Sequence, residues 1–150
     1  LLLLVKVENR LMYDKQLIDL REMIEEMVSQ FEEIFNDKNI KVSCTLAEKE
    51  IYASRYLAEI LLSNLISNAI RHNRTDGEII ITLNDDAFTV KNTGDSEPLQ
   101  AEKIFARFHK SSGSEGSGLG LTISREICEN FGFKLEYRFE GGYHGFEVRF

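Results

Sequence analysis

A run of glycines leads directly into a helical pattern in the stretch GSEGSGLGLTISREICENFG, residues 113–132. Four glycines fall within eight residues, and apolar side chains then recur with the spacing of an amphipathic helix. Glycine allows a backbone to approach another group closely, and the N–H groups at a helix start form a site for an anion. The run therefore predicts either a phosphate-binding loop or a hinge, and on this stretch alone both alternatives stay open.

The surroundings of the glycine run exclude one common phosphate-binding loop and disfavour another. The chain contains no G-x-x-x-x-G-K-[ST] sequence, so a P-loop is excluded. No strand pattern runs directly into the glycines, which disfavours a Rossmann turn. The helix that follows has its apolar face at Leu121, Ile123, Ile127 and Phe131.

A second unusual pattern lies in YLAEILLSNLISNAIRHN, residues 56–73, which predicts a long helix. At about 100° per residue, Asn64, Asn68 and Arg71 form one polar stripe on this helix, and His72 lies beside the stripe. Asparagine costs a helix about 0.5 kcal/mol relative to alanine, so two of them one turn apart need a reason. The stripe predicts either a solvated face or amide oxygens that hold a hard cation such as Mg²⁺.

Composition limits the class of protein and its partners. At 150 residues and 43% apolar content the chain fits one domain with a real core. The net charge of −7, without any basic run, disfavours a nucleic-acid partner. Cys44 and Cys128 are predicted to be reduced core residues of a cytosolic protein. The opening LLLLVKV is much shorter than the roughly 20 apolar residues that cross a bilayer, so we expect no direct membrane contact.

Hydrophobic periodicity predicts an α/β fold with helices on one face of a mixed, mostly antiparallel sheet. The predicted helices cover residues 1–13, 17–35, 56–72 and 98–108, and a last one runs from the glycine run to Phe131. The predicted strands are 40–46 with a short partner at 51–53, a hairpin within 78–94, and 133–139 and 145–150 joined through EGGYHG.

Four pieces of sequence then combine into a more specific pattern. LLSNLISNAIRHN, VKNTG, IFARFHKS and GSGLGLTI occur in this order between residues 59 and 124. Together they resemble the N box, first glycine box, F box and second glycine box of the ATP-binding catalytic domain of sensor histidine kinases, in the GHKL superfamily. The resemblance implies a two-layer α/β sandwich that binds ATP with Mg²⁺ between the N-box helix and a mobile lid.

The resemblance implies roles for the residues of the polar stripe. Asn68 matches the asparagine that coordinates Mg²⁺, and Asn64 would be a second polar contact for the metal. Arg71 matches a basic position near the triphosphate, and His72 matches an aromatic position that stacks on adenine. The alternative for His72 is a histidine at the end of the helix that makes its hydrogen bonds to solvent.

The first glycine box departs from the family pattern D-x-G-x-G. Asn92 and Gly94 match its carboxylate and its first glycine, whereas the second glycine is missing. The family carboxylate accepts a hydrogen bond from the adenine amino group, and an amide oxygen at residue 92 can still accept one. We therefore expect an adenine contact without the charge.

The remaining boxes supply the lid and the phosphate contacts. Phe105 and Phe108 match the F-box residues that pin the lid, although both side chains also suit a plain core. Lys110 and Arg107 match cations that reach the γ-phosphate, where they would act in catalysis together with Asn68. The backbone N–H groups of Gly116, Gly118, Leu119 and Gly120 would bind the phosphates.

One further departure concerns proton chemistry. Many relatives carry Glu or Gln four residues before the first N-box asparagine, where this chain has Ile60. The neighbouring Glu59 lies on another side of the helix, so we do not expect it to act as a base.

The resemblance implies a protein-histidine kinase that donates the γ-phosphoryl of ATP to a histidine on a dimerisation domain, in two-component signal transduction. No acceptor motif with a nearby Thr-Pro occurs in the chain, whose only proline is Pro98. We expect residues 1–13 to end a dimerisation helix and 14–150 to form the catalytic domain, on the cytosolic side of a membrane-anchored bacterial sensor. The implied partners are that dimerisation domain and, through the parent kinase, a response regulator.

Two alternatives belong to other classes. One is another GHKL ATPase or serine kinase. The other is a degenerate, non-catalytic module that only scaffolds a partner, which the altered first glycine box and Ile60 would suit.

Overall fold

A computed structural model describes residues 14–106 and 120–150 of the chain. The predictions for residues 1–13 and for 107–119, which include the predicted lid, lie outside the described residues. Within the described ranges, no helix is both long and apolar enough to span a bilayer.

The centre of the fold is a five-stranded sheet. Its strands are β2 (Lys41–Leu46), β4 (Glu78–Leu83), β5 (Ala87–Asn92), β6 (Lys134–Glu140) and β7 (Tyr143–Arg149). They lie in the order β2-β4-β5-β7-β6, with β2 and β4 parallel and the other neighbours antiparallel. Every second residue of β4 is buried, which is the pattern of a sheet with one covered face. The predicted mixed, mostly antiparallel sheet is confirmed.

Helices cover the apolar face of this sheet. They are α1 (Leu20–Gln30), α2 (Glu32–Asp37), α3 (Arg55–Arg71), the short α4 (Ala101–Ile104) and α5 (Gly120–Phe131). Side chains cap two of them: Asp19 accepts from the backbone N–H of Glu22 at 3.1 Å, and the Ser54 hydroxyl accepts from that of Leu57 at 3.3 Å. Helix α3 packs against both α1 and α5, so its apolar side chains form the middle of the core.

The N-terminal part of the described chain differs from the sequence prediction. The helix expected to start at Leu17 starts at Leu20, because the residues before it form strand β1 (Lys15–Asp19). β1 pairs antiparallel with β3 (Glu50–Ser54) in a separate two-stranded sheet, with Leu17 opposite Tyr52. The predicted pairing of residues 51–53 with β2 is therefore wrong. Leu17 is 69% exposed, so its helical spacing from Leu20 was coincidental.

The prediction that both cysteines lie in the core is confirmed for Cys128 and wrong for Cys44. Cys128 is buried in α5, and burial raises the pKa of its thiol to about 12. Cys44 is exposed, because it lies on β2 at the edge of the five-stranded sheet. Both thiols are free.

A compact polar cluster joins the end of α3 to the start of the β4–β5 hairpin. The Thr93 hydroxyl donates to Asn73 Oδ1 at 2.6 Å and accepts from the backbone N–H of Glu78 at 2.8 Å. Asn73 Nδ2 donates to the carbonyl of Glu78 at 2.9 Å. A Cβ atom added at Gly77 would lie 2.5 Å from Thr93 Oγ1 and 2.8 Å from the carbonyl oxygen of Arg74. This cluster fixes where the chain leaves α3 and where β5 ends.

We predict that Gly77→Ala lowers the free energy of unfolding by about 1–3 kcal/mol, the usual cost of overpacking. The backbone of Arg74 cannot move away without breaking the cluster. The matched control is Gly120→Ala, since among the described residues the nearest atom to an added Cβ there is Arg71 Nη2 at 4.0 Å. Urea unfolding measured by circular dichroism checks both variants. Equal stability of the two variants would contradict the close packing at Gly77.

Candidate functional site

The two asparagines of the polar stripe of α3 are at least partly buried, whereas Arg71 at its end is exposed. Asn68 is only 6% exposed, and Asn64 is half-buried. Asn64 Nδ2 donates to the carbonyl of Gly120 at 3.3 Å, which ties α3 to the start of α5. This bond uses the amide nitrogen, so Asn64 Oδ1 keeps its capacity to accept or to ligate. A solvated face, one of the two alternatives left by the sequence, does not describe Asn68.

Positive potential is concentrated where α3 meets α5. Arg71 Nη2 lies 4.0 Å from the position of a Cβ on Gly120, the first residue of α5. The start of a helix carries a partial positive charge, and α5 has no acidic residue in its first turn. Both the guanidinium and the helix therefore favour an anion at this point.

A cleft opens beside this pair of helices, at the end of strand β5. Among the described residues, seven line it: Asn68, His72, Asn92, Asp95, Leu99, His144 and Phe146. The cleft thus brings together three side chains that the sequence assigned to nucleotide binding: Asn68 and His72 from α3 and its end, and Asn92 from β5. Asn68 connects it to the positive region around Arg71 and Gly120.

Asn92 has a defined orientation in the cleft wall. The residue is 1% exposed, and its Nδ2 donates to the carbonyl of Thr93 at 2.8 Å. The amide nitrogen therefore faces the backbone and Oδ1 remains as the acceptor. A carboxylate could not make this bond, because it has no proton to donate at neutral pH. The surroundings of residue 92 suit an amide.

Gly94 is required by close packing. A Cβ atom on residue 94 would lie 2.6 Å from the carbonyl oxygen of His72 and 3.4 Å from His144 Cδ2. The absence of a side chain lets the chain after β5 approach the end of α3. The position of His72 in the cleft depends on this approach.

The His72 ring is uncharged at neutral pH. Burial lowers the pKa of His72 below its usual value, and the neighbouring Arg71 guanidinium lowers it further. These two effects outweigh that of Asp95, which raises the pKa. An uncharged planar ring suits stacking on a base.

Phe105, the first F-box residue, is buried at the end of the described N-terminal range. Its ring meets that of Phe146 edge-on, with centroids 6.2 Å apart. Its carbonyl accepts from the Thr122 hydroxyl of α5 at 2.9 Å. A direct hydrogen bond therefore joins the two described segments that flank residues 107–119. Several predicted site residues lie outside the described residues: Arg107, Phe108, Lys110, Gly116, Gly118 and Leu119.

Sequence reasoning missed four residues of the cleft: Asp95, Leu99, His144 and Phe146. Asp95 and Leu99 belong to residues 93–100, which contain no helix or strand, and the helix predicted over 98–108 begins only at Ala101. His144 and Phe146 lie on β7, which the sequence places far from the motifs. Alternation along β7 puts His144 on the same buried face as Phe146 and Val148, but the strand predicted over 145–150 began after it.

A comparison with protein families gives an independent result. A family model described as "Histidine kinase-, DNA gyrase B-, and HSP90-like ATPase" matches residues 54–150, from the end of β3 to the last residue. The chain belongs to this ATPase family. Membership implies that the domain binds ATP.

Curated relatives and solved structures give more specific matches than the family model. The chain is 33% identical to the heme sensor protein HssS of Staphylococcus saprophyticus over 86% of its own length and 30% of that protein. It is 30% identical to the catalytic domain of histidine kinase ThkA, with a TM-score of 0.80 over 91% of this chain and 95% of that one. A structure of ThkA in complex with the response regulator protein TrrA matches at 27% identity, with a TM-score of 0.75 over 97% of this chain and 46% of that one.

These matches confirm the prediction of a sensor histidine kinase catalytic domain with an α/β sandwich fold. The chain spans about a third of the length of the curated relatives it matches.

We predict that Asn92→Asp destabilises the domain by about 1–3 kcal/mol, although the family pattern has Asp at this position. A carboxylate oxygen would replace Nδ2 and face the Thr93 carbonyl at 2.8 Å with no proton between them. The matched control is Asn84→Asp, because Asn84 uses only Oδ1, which accepts from the N–H groups of Asp86 and Ala87. Thermal unfolding at pH 7 measures both. An unchanged melting temperature for Asn92→Asp would show that the amide is dispensable.

Proposed function

We propose that the domain binds ATP with Mg²⁺ and donates the γ-phosphoryl group to a histidine on a separate dimerisation domain, in two-component signal transduction. The observation that carries this proposal is the position of Arg71 beside the start of α5, next to a cleft walled by Asn68, His72 and Asn92. A cation and a helix start that lie next to a cleft with amide and imidazole groups in its wall suit a nucleoside triphosphate.

Each end of the site fits a different part of the nucleotide. At the cleft, Asn92 Oδ1 is the acceptor for the adenine amino group, and the uncharged His72 ring packs on the base. At the other end, Arg71 and the backbone N–H groups at the start of α5 bind phosphate oxygens. This division agrees with the roles that the resemblance implies for the same residues.

The amide oxygens of α3 fit Mg²⁺. Asn68 is buried in the cleft wall, and Asn64 keeps Oδ1 available because its nitrogen bonds to Gly120. Magnesium prefers oxygen ligands and retains several waters, so one or two amide oxygens suffice. The bound ion would neutralise charge on the phosphate oxygens.

Phosphoryl transfer breaks the bond between the γ-phosphorus and the oxygen that stays with ADP, and forms a bond from phosphorus to the acceptor nitrogen. We assign Lys110 and Arg107 to the negative charge on the transferring group. Gly116, Gly118, Leu119 and Gly120 donate backbone N–H groups to the phosphates. Glu59 takes no part, since it is exposed and pairs with Arg55 at 3.8 Å.

The remaining parts of the proposal concern the parent protein. We infer that residues 1–13 end a dimerisation helix and that 14–150 form the catalytic domain. The phosphoacceptor domain is then the direct partner, and a response regulator receives the phosphoryl group from it. We place the domain on the cytosolic side of a membrane-anchored sensor.

The metal assignment predicts that Asn68→Ala lowers the affinity for a non-hydrolysable ATP analogue at least about tenfold with Mg²⁺ present. Without Mg²⁺ the variant and the unsubstituted protein should bind alike, because only the metal-dependent part is lost. Asn36→Ala, on the exposed surface of α2, is the matched control. Titration calorimetry measures the affinity of all three proteins with and without Mg²⁺. The same loss with and without Mg²⁺ would remove Asn68 from the metal site.

The reaction assignment predicts that labelled ATP leaves this chain unlabelled, whereas the acceptor domain of the parent kinase becomes labelled when mixed with it. Gel autoradiography before and after mild acid identifies phosphohistidine, which is acid-labile. Acid-labile label on His72, His109 or His144 would contradict the assignment. Steady ATP hydrolysis without an acceptor would instead favour an ATPase.

A further inference from the structure

A buried histidine at the edge of the cleft has both ring nitrogens hydrogen-bonded. His144 is 4% exposed, and its Nε2 lies 2.7 Å from the carbonyl oxygen of Asp95. Its Nδ1 lies 2.7 Å from the hydroxyl oxygen of Tyr137, on the neighbouring strand β6. Neither bond follows from the motifs of the family, because Tyr137 and His144 lie outside all four boxes.

The partners fix the position of each proton. A carbonyl oxygen only accepts, so His144 Nε2 carries the proton and donates it to Asp95. In the neutral ring Nδ1 is then the acceptor, and the Tyr137 hydroxyl donates to it. The same hydroxyl oxygen accepts from the backbone N–H of Leu99 at 2.9 Å. Burial raises the pKa of Tyr137, which keeps its hydroxyl protonated as this arrangement needs.

The bond between His144 and Asp95 and the bond between Tyr137 and Leu99 hold the same segment of the chain. Residues 93–100, here called the strap, connect β5 to α4 and contain no helix or strand. The β6–β7 hairpin holds the strap at two points four residues apart, the carbonyl of Asp95 and the N–H of Leu99. Asp95 and Leu99 are also the strap residues that line the cleft.

Aromatic packing makes this attachment rigid. The Tyr137 ring lies 5.3 Å from that of Phe146, and the His144 ring lies 4.7 Å from that of Phe139. Phe146 in turn meets Phe105 of the F box edge-on. The hairpin therefore contacts both the strap and Phe105, near the end of the first described range.

We propose that Tyr137 and His144 are positioning residues for the nucleobase: they hold the strap in place before nucleotide arrives, so that the base side of the cleft is preformed. The proposal rests on the proposed function, since it assigns the base to this cleft. Neither residue needs to touch ATP to act. A preformed wall raises affinity because binding no longer has to order the segment.

The test compares two tyrosines of the same hairpin. Tyr137→Phe keeps the ring and removes the hydroxyl that bonds to His144 and Leu99. Tyr143→Phe is the matched control, because the Tyr143 hydroxyl donates to Glu78 Oε2 at 3.0 Å, outside the cleft. We expect Tyr137→Phe to weaken ATP binding about five- to tenfold and Tyr143→Phe to leave it unchanged.

Inorganic tripolyphosphate with Mg²⁺ separates positioning of the base from general loss of structure. It has no base, so its affinity should be the same for Tyr137→Phe and the unsubstituted protein. Equal loss of ATP and tripolyphosphate binding would overturn the proposal, as would unchanged ATP binding in Tyr137→Phe. If the unsubstituted protein binds tripolyphosphate but not ATP, or neither, the proposed function itself fails.

Two further measurements do not depend on the folding of Tyr137→Phe. In the unsubstituted protein without nucleotide, the Leu99 amide should exchange with solvent at least about tenfold more slowly than an unprotected amide. Fast exchange there would show that the strap is not preformed. His144→Gln keeps a donor for the Asp95 carbonyl and should retain more ATP affinity than His144→Leu; equal affinities would count against the role of Nε2.

Discussion

The site depends on the packing of α3 against α5. Helix α3 buries its apolar side chains in the core, and its site residues lie toward α5 and the cleft. Asn64 bonds to Gly120, Asn68 lines the cleft, and Arg71 lies beside the start of α5. The packing of α3 against α5 therefore also places the Arg71 guanidinium and the amide groups of Asn64 and Asn68 near the start of α5. Core and site are built from opposite sides of a single helix.

Much of this arrangement could be predicted from the sequence because it is local. The length of α3, the β4–β5 hairpin and the helix after the glycine run follow from periodicity and turn residues, and each is confirmed. The failure at Leu17 has a physical reason: Leu17 and Leu20 keep helical spacing while the chain between them is extended. Three residues of strand cannot be distinguished from the first turn of a helix by apolar spacing alone.

The parts of the site that could not be predicted are those made by tertiary structure. Asp95 lies in an irregular segment, and its carbonyl matters more than its side chain, because the carbonyl accepts from His144. His144 becomes visible only when β7 pairs with β5 and places it opposite Asn92. The departure at Asn92 belongs here as well. Its amide nitrogen donates to the Thr93 carbonyl, so the departure from the motif is matched by a hydrogen bond that Asp could not make.

The parallel pairing of β2 with β4 has a consequence for the order in which the molecule assembles. Antiparallel neighbours can meet through a short turn, whereas β2 reaches β4 only after the chain has passed through β3 and the whole of α3. Closing that long loop costs entropy, which burial of α3 under the sheet must offset. The β2–β4 pair can therefore form only after α3 has been made, so the helix that carries Asn64 and Asn68 is part of the loop that the sheet closes.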